Sequence, residues 1–416
     1  HQRNGSGRPN QSDRGVAARG ICDTCGALHL RIVAGLSVTD DLSDAMAPSW
    51  RQRRSAGRYD EAGSEPGEIG MKAALYSEFQ GAIAVVDVPV PTAHPDGVVV
   101  RVEATGLCRS DWHGWMVHDP DITLPHVPGH ELAGTIVETG SDVDAWTVGD
   151  RVTVPFVSGC GRCDVCRAGD EQVCPNQFQP GFSAWGSFAE YVALRYADRN
   201  LVRVPDSMSS TVAALLGCRF ATAYRGVVVQ GRVAREEWVA VHGCGGVGLA
   251  AIMIARAFGA RVVAIDTDRG ARALAASLRA DVVIDPSDTD DLPSAIRDAT
   301  GGGPHLSVEA AGSPAAVAAS VASLRPRARH VQIGLLPANS TNVPLGTVIG
   351  RELEILGSHG MQAHRYPEML EMILDGRLTP GDLISRTISL SEIPEALASM
   401  AEVHDPGVTV VDATSE

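Results

Sequence analysis

Four cysteines in the middle of the chain have the spacing of a metal site. Cys160, Cys163, Cys166 and Cys174 follow the pattern C-x2-C-x2-C-x7-C. Four thiolates at this spacing can surround one ion tetrahedrally, which is the closed geometry of a structural zinc site. Disulfides are a weaker interpretation, because a reducing cytoplasm disfavours them. An iron–sulfur cluster stays open as an alternative, since Pro175 follows the last cysteine, although the spacing differs from that of bacterial ferredoxins.

Two further cysteines and a histidine, far apart in the chain, could bind a second metal ion. Cys108 begins the run Cys-Arg-Ser-Asp-Trp-His, His130 lies in Gly-His-Glu, and Cys218 lies in Gly-Cys-Arg-Phe. Two thiolates and one imidazole leave a fourth position open, as catalytic zinc sites do. Each residue alone has a plainer interpretation, because a lone His is usually a hydrogen-bonded turn residue and a lone Cys is usually buried.

A glycine-rich turn predicts nucleotide binding. Gly243, Gly245 and Gly248 form Gly-x-Gly-x-x-Gly between a predicted strand and a predicted helix. The glycines allow a tight turn and a close approach to a pyrophosphate, to which the helix start presents free N–H groups. Asp266 ends the next predicted strand, where its carboxylate can bind ribose hydroxyls and would repel a 2′-phosphate. We therefore expect NAD to be preferred over NADP, although Arg269 is close enough to offset this charge.

The elements around this turn alternate between strands and helices. We predict strands at 237–242, 261–265, 281–284, 305–309 and 329–334, with helices at 247–256, 269–278, 290–299 and 314–324. Such alternation implies parallel pairing and a doubly wound α/β sheet. The preceding text is rich in Gly, Pro and short apolar runs, which predicts a β-rich domain. A strand at 352–356 and a helix at 366–375 follow the alternating region.

Composition and charge exclude several classes of protein. The 416 residues have room for two or three domains, and a content of 44% hydrophobic and 20% charged residues excludes wholesale disorder. A formal net charge of −15 without a basic run argues against nucleic acid or a membrane as partner. Lys72 is the one lysine, which argues against P-loop and pyridoxal chemistry.

Residues 1–70 differ from the rest of the chain. They are rich in Gly, Ser, Arg and Asp and lack periodicity, so we expect a disordered extension, with Met71 beginning the folded part. Cys22-x-x-Cys25 could be half of a metal site, but only His29 lies nearby, and a solvated segment is the simpler interpretation. The first residues show no signal-peptide pattern, so we expect a cytoplasmic protein.

The three motifs together resemble the zinc-dependent medium-chain alcohol dehydrogenase family, over residues 71–416. The resemblance implies an α/β fold with a β-rich GroES-like catalytic domain at 71–222 and a doubly wound Rossmann coenzyme domain at 223–349. The segment 350–416 would return to the catalytic domain. The resemblance also implies two zinc ions per chain, one catalytic and one structural, and a homo-oligomer, either a dimer or a tetramer.

The resemblance assigns roles to residues of both metal sites. Cys108, His130 and Cys218 would bind the catalytic zinc, Glu131 would approach or replace its labile ligand, and Asp111 would orient the imidazole. The ligands of the structural zinc would be Cys160, Cys163, Cys166 and Cys174.

It also assigns the proton relay and the coenzyme contacts. Ser110 would accept the proton of the alcohol, His113 would pass it to solvent, and Phe156 would lie in the substrate pocket. For Trp112 and Trp115, packing is as good an interpretation as substrate contact. The implied coenzyme contacts are Arg109, Thr222, Gly243, Gly245, Gly246, Val247, Gly248, Asp266, Arg269 and Ile333.

These implications predict an NAD(P)-dependent alcohol dehydrogenase that acts on a small-molecule alcohol or carbonyl compound. Hydride would pass reversibly between NAD and a primary or secondary alcohol. A polyol or formaldehyde dehydrogenase of the same family is one alternative. A non-catalytic, zinc-stabilised nucleotide-sensing or interaction protein is another, against which the negative charge and the dispersed second metal set argue.

Overall fold

The computed structural model describes residues 70–337, 343–402 and 406–415. The Cys22–Cys25 pair and nearly all of the predicted extension lie outside these residues. The strands are β1 Gly70–Tyr76, β2 Ile83–Pro89, β3 Val98–Leu107, β4 Glu131–Thr139, β5 Arg151–Thr153, β6 Tyr191–Leu194, β7 Val202–Arg203, β8 Trp238–His242, β9 Arg261–Ile265, β10 Val282–Ile284, β11 Leu306–Glu309, β12 Arg329–Gln332, β13 Glu354–Gly357, β14 Ile384–Ser389 and β15 Val408–Asp412.

The helices are mostly short, and several end in a tighter or wider turn. The α-helices are α1 Arg109–Trp115, α2 Asp164–Arg167, α3 Ala197–Asn200, α4 Ser210–Ala214, α5 Arg219–Tyr224, α6 Gly246–Ala257, α7 Arg269–Ser277, α8 Leu292–Ala299, α9 Pro314–Ser323, α10 Leu345–Arg351, α11 Tyr366–Leu374 and α12 Ile393–Ala398. A 3₁₀ turn at Leu215–Gly217 precedes α5, and a π-helical turn at Arg225–Gln230 continues it.

The alternating region forms a six-stranded parallel sheet with the order β10-β9-β8-β11-β12-β13. Helices cover both faces, so the central strand β8 is buried along its whole length. The strand order reverses next to β8, the point at which doubly wound sheets bind their ligands. This architecture confirms the predicted α/β fold with a doubly wound sheet. Strand β13 pairs with β12 and lies after residue 349, so the sheet extends past the predicted end of the coenzyme domain.

The second large sheet contains seven strands, in the order β14-β15-β3-β4-β5-β7 with β6 paired to β3. It combines strands from before and after the parallel sheet, because β15 pairs antiparallel with β3 and parallel with β14. Strands β1 and β2 form a separate antiparallel pair. The β-rich character predicted for the first domain is therefore observed, and part of its sheet comes from the end of the sequence.

The segment from α4 to the π-helical turn connects the two large sheets. Its apolar residues belong to a core cluster that includes residues of both sheets, among them Ala104 and Val241. Within the described ranges, no single helix is long and apolar enough to cross a membrane. The helices Ser210–Gly217 and Arg219–Gln230 reach that length and composition only as a pair, which is bent by 54°.

Candidate active site

Two neighbouring antiparallel strands bring Cys108 and His130 to the same place. Strand β3 ends one residue before Cys108, and β4 begins one residue after His130. Gly106 of β3 pairs with Glu131 of β4, so both candidate ligands lie at the same end of the strand pair. A Cβ atom at Gly106 would lie only 2.0 Å from Glu131 Oε2, so the glycine leaves room for this carboxylate.

Cys218 joins this pair from the turn between α4 and α5. The donor atoms of Cys108, His130, Glu131 and Cys218 all lie within 4.8 Å of one another. The structure therefore brings together the residues that the sequence suggested as a dispersed metal set.

The His130 ring is oriented as in a metal site. Its Nδ1 atom is hydrogen-bonded to Asp111 Oδ1 at 2.9 Å. Its Nε2 atom is buried and has no hydrogen-bond partner among the described residues. Histidines that bind zinc have this arrangement: one ring nitrogen is hydrogen-bonded to a carboxylate, and the other is left to bind the metal beside the remaining ligands. The residues present therefore fit a zinc ion.

The surroundings of the two thiols favour ionisation of Cys108 over Cys218. A hydrogen bond from Cys218, with a contribution from the Arg219 charge, lowers the pKa of Cys108 well below its ordinary value. The same hydrogen bond and burial raise the pKa of Cys218. Burial alone would lower the pKa of His130, but the Asp111 carboxylate outweighs it and raises that pKa. The site therefore concentrates negative charge that a divalent cation would neutralise.

Asp111 organises the start of α1 as well as the histidine. Its Oδ2 accepts the N–H of Cys108, the residue that precedes the helix, and its Oδ1 accepts the N–H of Gly129, both at 3.0 Å. The Asp111 side chain is fully buried. One carboxylate thus holds both loops that carry candidate ligands, which agrees with the orienting role that the resemblance implied.

Arg219 is a residue of this site whose role is not evident from the sequence. Its Nε atom donates to both carboxylate oxygens of Glu131 at 2.9 Å, its backbone N–H donates to Oε1 at 2.8 Å, and Nη2 also contacts Oε2. Burial raises the pKa of Glu131, and the Arg219 charge opposes that rise. The sequence feature that could have indicated this role is a charged residue, Arg219, inside an otherwise apolar segment directly after Cys218.

Arg219 also contacts the glycine-rich turn. A Cβ atom at Gly246 would lie 2.7 Å from Arg219 Cδ and 3.5 Å from its Nη1. The guanidinium therefore lies between the Glu131 carboxylate and the start of α6, and it connects the candidate metal site to the coenzyme turn.

Helix α1 carries the implied relay residues on successive turns. Ser110 Oγ lies 3.8 Å from Cys108 Sγ, and His113 follows three residues later on the same side of the helix. Arg109 Nη1 donates to the backbone oxygen of Met400 at 2.9 Å, and its guanidinium lies 4.8 Å from the centre of the Trp112 ring. Helix α1 therefore holds the implied relay residues next to the metal set.

The two tryptophans near α1 are held by packing. Trp112 packs against the apolar cluster that lines β1 and α12. Trp115 Nε1 donates to the backbone oxygen of Gly81 at 3.1 Å. The packing interpretation therefore accounts for both side chains.

An apolar wall lies next to Cys218 and His130. It consists of Ile122, Phe156, Val157 and Phe182, with Phe79 and Cys218 packed against it. The His130 ring lies 6.0 Å from the Phe156 ring and 5.0 Å from the Phe182 ring. The sequence indicated Phe156, but it gave no signal for Ile122 and Phe182, because their separate loops meet only in the fold.

The four-cysteine motif forms a compact second cluster. The four sulfur atoms lie within 4.8 Å of one another, with Cys174 Sγ at 3.6 Å from Cys160 Sγ and 3.7 Å from Cys163 Sγ. A tetrahedral zinc site with Zn–S bonds of ~2.3 Å requires S···S separations of ~3.8 Å. All four cysteines are free, without a disulfide. They therefore also fit one zinc ion.

The three glycines of the coenzyme turn have different local roles. Gly243 has φ +90°, a conformation that favours glycine and that forms the tight turn. A Cβ at Gly248 would lie 1.8 Å from the backbone oxygen of Gly243, so helix and strand can approach only with glycine there. A Cβ at Gly245 would meet nothing within 4 Å, which leaves open space beside the start of α6. These are the features of a pyrophosphate-binding turn.

Asp266 lies at this turn, directly after β9. Its Oδ2 accepts the N–H of Cys244 at 2.6 Å, and its Oδ1 accepts the N–H of Asp268 at 2.7 Å. Arg269 begins α7 and is exposed. The carboxylate is thus fixed beside the turn, where a coenzyme ribose would lie.

The other implied coenzyme residues lie between the two sheets. Thr222 is buried, and its hydroxyl has no hydrogen-bond partner among the described residues. Val247 is the second residue of α6, and both it and Ile333 pack against the core that the two sheets share. The turn, Asp266 and Thr222 therefore surround the region next to the candidate metal site.

Comparisons with known proteins agree with this geometry. A model of the zinc-binding dehydrogenase family matches residues 246–375, and a model of the alcohol dehydrogenase GroES-like domain matches residues 94–206. An alcohol dehydrogenase of Geobacillus stearothermophilus is 36% identical over 313 residues, which are 74% of this chain and 90% of that protein. A D-arabitol-phosphate dehydrogenase of Enterococcus avium is 30% identical over 335 residues, which are 79% and 93% of the two chains.

A solved structure has the same fold. A zinc-binding dehydrogenase of Sinorhizobium meliloti, bound to NADP, superposes with a TM-score of 0.76 and 29% sequence identity. The superposition covers 83% of this chain and 100% of that one. The similarity therefore extends over most of the residues that the structure describes.

Proposed function

The chain belongs to the zinc-dependent medium-chain alcohol dehydrogenase family, and on that premise we propose that it transfers hydride reversibly between NAD and a primary or secondary alcohol. The observation that carries the proposal is the convergence of Cys108, His130 and Cys218 on one centre. Arg219 connects that centre to the coenzyme turn. An open metal position beside a dinucleotide site suits the oxidation of an alcohol to an aldehyde or ketone.

The side chains of the site supply binding and proton transfer. When bound, zinc acts as a Lewis acid that lowers the pKa of an alcohol hydroxyl, and the nicotinamide accepts hydride. Ser110 Oγ accepts the hydroxyl proton and passes it toward His113. Burial, the His118 charge and the Arg109 charge lower the pKa of His113, so that its ring is neutral and able to accept a proton near neutral pH. Glu131, held by Arg219, offers a further oxygen ligand beside the ring of His130.

Asp266 supports NAD as the preferred coenzyme. Its carboxylate is fixed by two backbone N–H groups at the end of β9, so its negative charge would face a 2′-phosphate. Arg269 is exposed on α7 and could offset part of that charge. We propose that NAD binds more tightly than NADP, and that Asp266→Ala narrows or reverses the difference.

The apolar wall favours simple alcohols over polyols. Ile122, Phe156 and Phe182 offer no hydrogen-bond partners, and a buried polyol hydroxyl without a partner would be penalised. The similarity to a D-arabitol-phosphate dehydrogenase keeps a polyol substrate as the second candidate.

A substrate panel combined with metal analysis tests the proposed function. Primary, secondary and aromatic alcohols, polyols and formaldehyde are assayed with both coenzymes, and zinc is counted per chain. We expect two zinc ions per chain and NADH formation with apolar alcohols. Cys108→Ser and His130→Ala should lose one zinc ion and abolish turnover while NAD still binds. His305→Ala, at the opposite end of the coenzyme sheet, serves as the control and should leave turnover unchanged.

The same experiment separates the alternatives. Strong preference for polyols would favour the second candidate. One zinc ion per chain and no turnover across the panel would contradict the proposal and favour a nucleotide-sensing or interaction protein. We also propose a cytoplasmic location, where reduced cysteines persist, and a homo-oligomeric assembly, either a dimer or a tetramer.

A further inference from the structure

A second histidine is hydrogen-bonded to the implied relay residue. His118 Nδ1 lies 2.8 Å from His113 Nδ1, and the two ring centres are 5.1 Å apart. The backbone N–H of His118 also donates to the backbone oxygen of His113 at 2.9 Å. The Trp112 ring packs edge-on against both imidazoles. His118 is exposed, whereas His113 is partly buried, so the pair leads from the interior of the site to solvent.

A strained turn places His118 against His113. Val117, between α1 and His118, has φ +66° and is 51% exposed. A β-branched residue is a true outlier in the left-handed region, and such strain concentrates at functional sites. The turn then continues to Asp119, whose carboxylate accepts the N–H of Asp121 at 2.9 Å. The chain therefore reverses direction at Val117, although valine disfavours the left-handed conformation. This reversal brings the His118 ring into contact with the His113 ring.

The contact between the Nδ1 atoms restricts the tautomers of the pair. At 2.8 Å one Nδ1 must carry a proton and the other must accept it. When His113 donates, its Nε2 is an acceptor and His118 carries its own proton on Nε2. When both rings are protonated, two N–H groups face each other and the hydrogen bond is lost. The pair therefore holds one additional proton at most while it stays intact.

We propose that His118 is the exit residue of the proton relay and delivers the proton of the alcohol from His113 to solvent. The proposal rests on the proposed function. His113 Nε2 accepts a proton, the proton on His113 Nδ1 moves to His118 Nδ1, and the proton on His118 Nε2 leaves to water. One proton enters and one leaves, and exchange with water between turnovers restores the starting tautomers.

The charges around His113 favour this direction of transfer. Its pKa is lowered by burial first, then by the charges of His118 and Arg109, while Cys108 opposes them. Helix α12, which packs against α1, carries one charged residue, Glu395, which is exposed. A proton that arrives at His113 is therefore held weakly there, and the hydrogen bond to His118 offers it a way out.

His118→Gln tests the relay because glutamine keeps a hydrogen-bonding side chain but cannot pass a proton between its two ends. We expect kcat for alcohol oxidation to fall roughly tenfold. This fall is smaller than that expected when a general base is removed, because water can accept the proton from His113 in place of His118. Removal of the His118 charge also raises the pKa of His113, so the acidic limb of the kcat–pH profile should move to higher pH. Added imidazole should restore part of the rate. His94→Gln, an exposed histidine beside Asp96, is the matched control and should show none of these effects.

Nitrogen–proton NMR of the histidine rings tests the pair without coenzyme or substrate. In the wild type we expect the signal of a proton shared between the two Nδ1 atoms, and in His118→Gln we expect that signal to be lost and the titration of His113 to move to higher pH. A His118→Gln variant with the wild-type pH profile, no response to imidazole and an unchanged His113 titration would overturn the relay. If the wild type oxidises no alcohol, the proposed function and the relay are both overturned. If the wild type is active and His118→Gln behaves like it, only the relay is overturned.

Discussion

The ion pair between Arg219 and Glu131 is the residue-level feature with the largest energetic consequence. Glu131 is fully buried and the Arg219 side chain is 10% exposed, and both lie beside two thiols. A buried pair of this kind adds little net stability, but loss of one partner leaves an uncompensated charge. Arg219 therefore allows a carboxylate to be placed next to thiolates in a site that excludes water.

We predict that Arg219→Gln lowers the free energy of unfolding by about 3–5 kcal/mol, because the Glu131 carboxylate stays buried without its cation. The double variant Arg219→Gln/Glu131→Gln should recover much of this loss, since no charge is then left unpaired. Urea denaturation of the zinc-loaded protein measures both values.

Arg329→Gln is the matched control for this prediction. It breaks an Arg–Glu pair with Glu237 that lies at the far end of the coenzyme sheet and whose side chains are 12% and 20% exposed. Its loss should be smaller because water reaches the pair. An Arg219→Gln variant that loses no more stability than Arg329→Gln would show that the Glu131 charge does not need Arg219.

Residue spacing predicts the local parts of the site better than its long-range contacts. The four-cysteine cluster spans a short segment, so its spacing alone indicates a metal site. The partner of Glu131 is 88 residues away along the chain, and no spacing rule connects the two. His118 was also missed, because its position depends on the left-handed conformation of Val117, which the residue type disfavours.

At the scale of elements, the glycine-rich turn separates packing from coenzyme binding. Gly248 is required by the contact between α6 and the preceding strand, whereas the space at Gly245 is open. The two glycines therefore allow matched substitutions within one turn.

We predict that Gly245→Asn weakens NAD binding by about tenfold or more, roughly 1.4 kcal/mol, with stability nearly unchanged. The asparagine side chain would fill the space that a pyrophosphate needs, and it remains a good residue for the start of a helix. Gly248→Ala should instead lower the free energy of unfolding by about 1–3 kcal/mol, because its Cβ would overlap the backbone oxygen of Gly243.

Quenching of tryptophan fluorescence by NAD and urea denaturation separate the two effects. If Gly245→Asn binds NAD as the wild type does, the open space is not the pyrophosphate site. If Gly248→Ala is as stable as the wild type, the close approach of α6 to β8 does not depend on glycine.

Element order was more predictable than element pairing. The alternation of strands and helices indicated the parallel sheet, because β8 and β9 are apolar runs and the helices α7, α8 and α9 each begin after an Asp or Ser. The predicted domain boundary at residue 349 separates β13 from the sheet that it joins, and β13 is mostly exposed, unlike the central strands. Its membership is decided by pairing with β12, which local sequence does not encode.

At the scale of the whole molecule, β13 forms an edge of the coenzyme sheet that carries apolar side chains. Leu335, Leu345, Ile349 and Ile355 are between 40% and 78% exposed near this edge. On the side away from β12, β13 has no partner strand among the described residues. An uncovered apolar edge strand is a pairing surface, and a second copy of this chain is the partner that the proposed homo-oligomer would supply.

We predict that the double variant Ile349→Glu/Ile355→Glu dissociates the proposed oligomer, because it places charge on the apolar edge that the second copy would bury. Light scattering coupled to size-exclusion chromatography should show a mass reduced by about half or more relative to the wild type. Val148→Glu, on an exposed valine of the other sheet's connecting loop, should leave the mass unchanged. A wild-type mass equal to 43.7 kDa would contradict the oligomer itself.

The pairing of β15 with β3 has a consequence for how the protein is made. Thr409 lies opposite Leu107, the residue before Cys108, so the first sheet closes only with a strand translated after the entire coenzyme domain. The coenzyme sheet, by contrast, is built from one continuous stretch of chain and can fold while synthesis continues. A ribosome must therefore deliver residues beyond 400 before the first sheet is complete. The nascent chain can therefore pass through a stage in which the parallel sheet is complete while the first sheet still lacks β14 and β15.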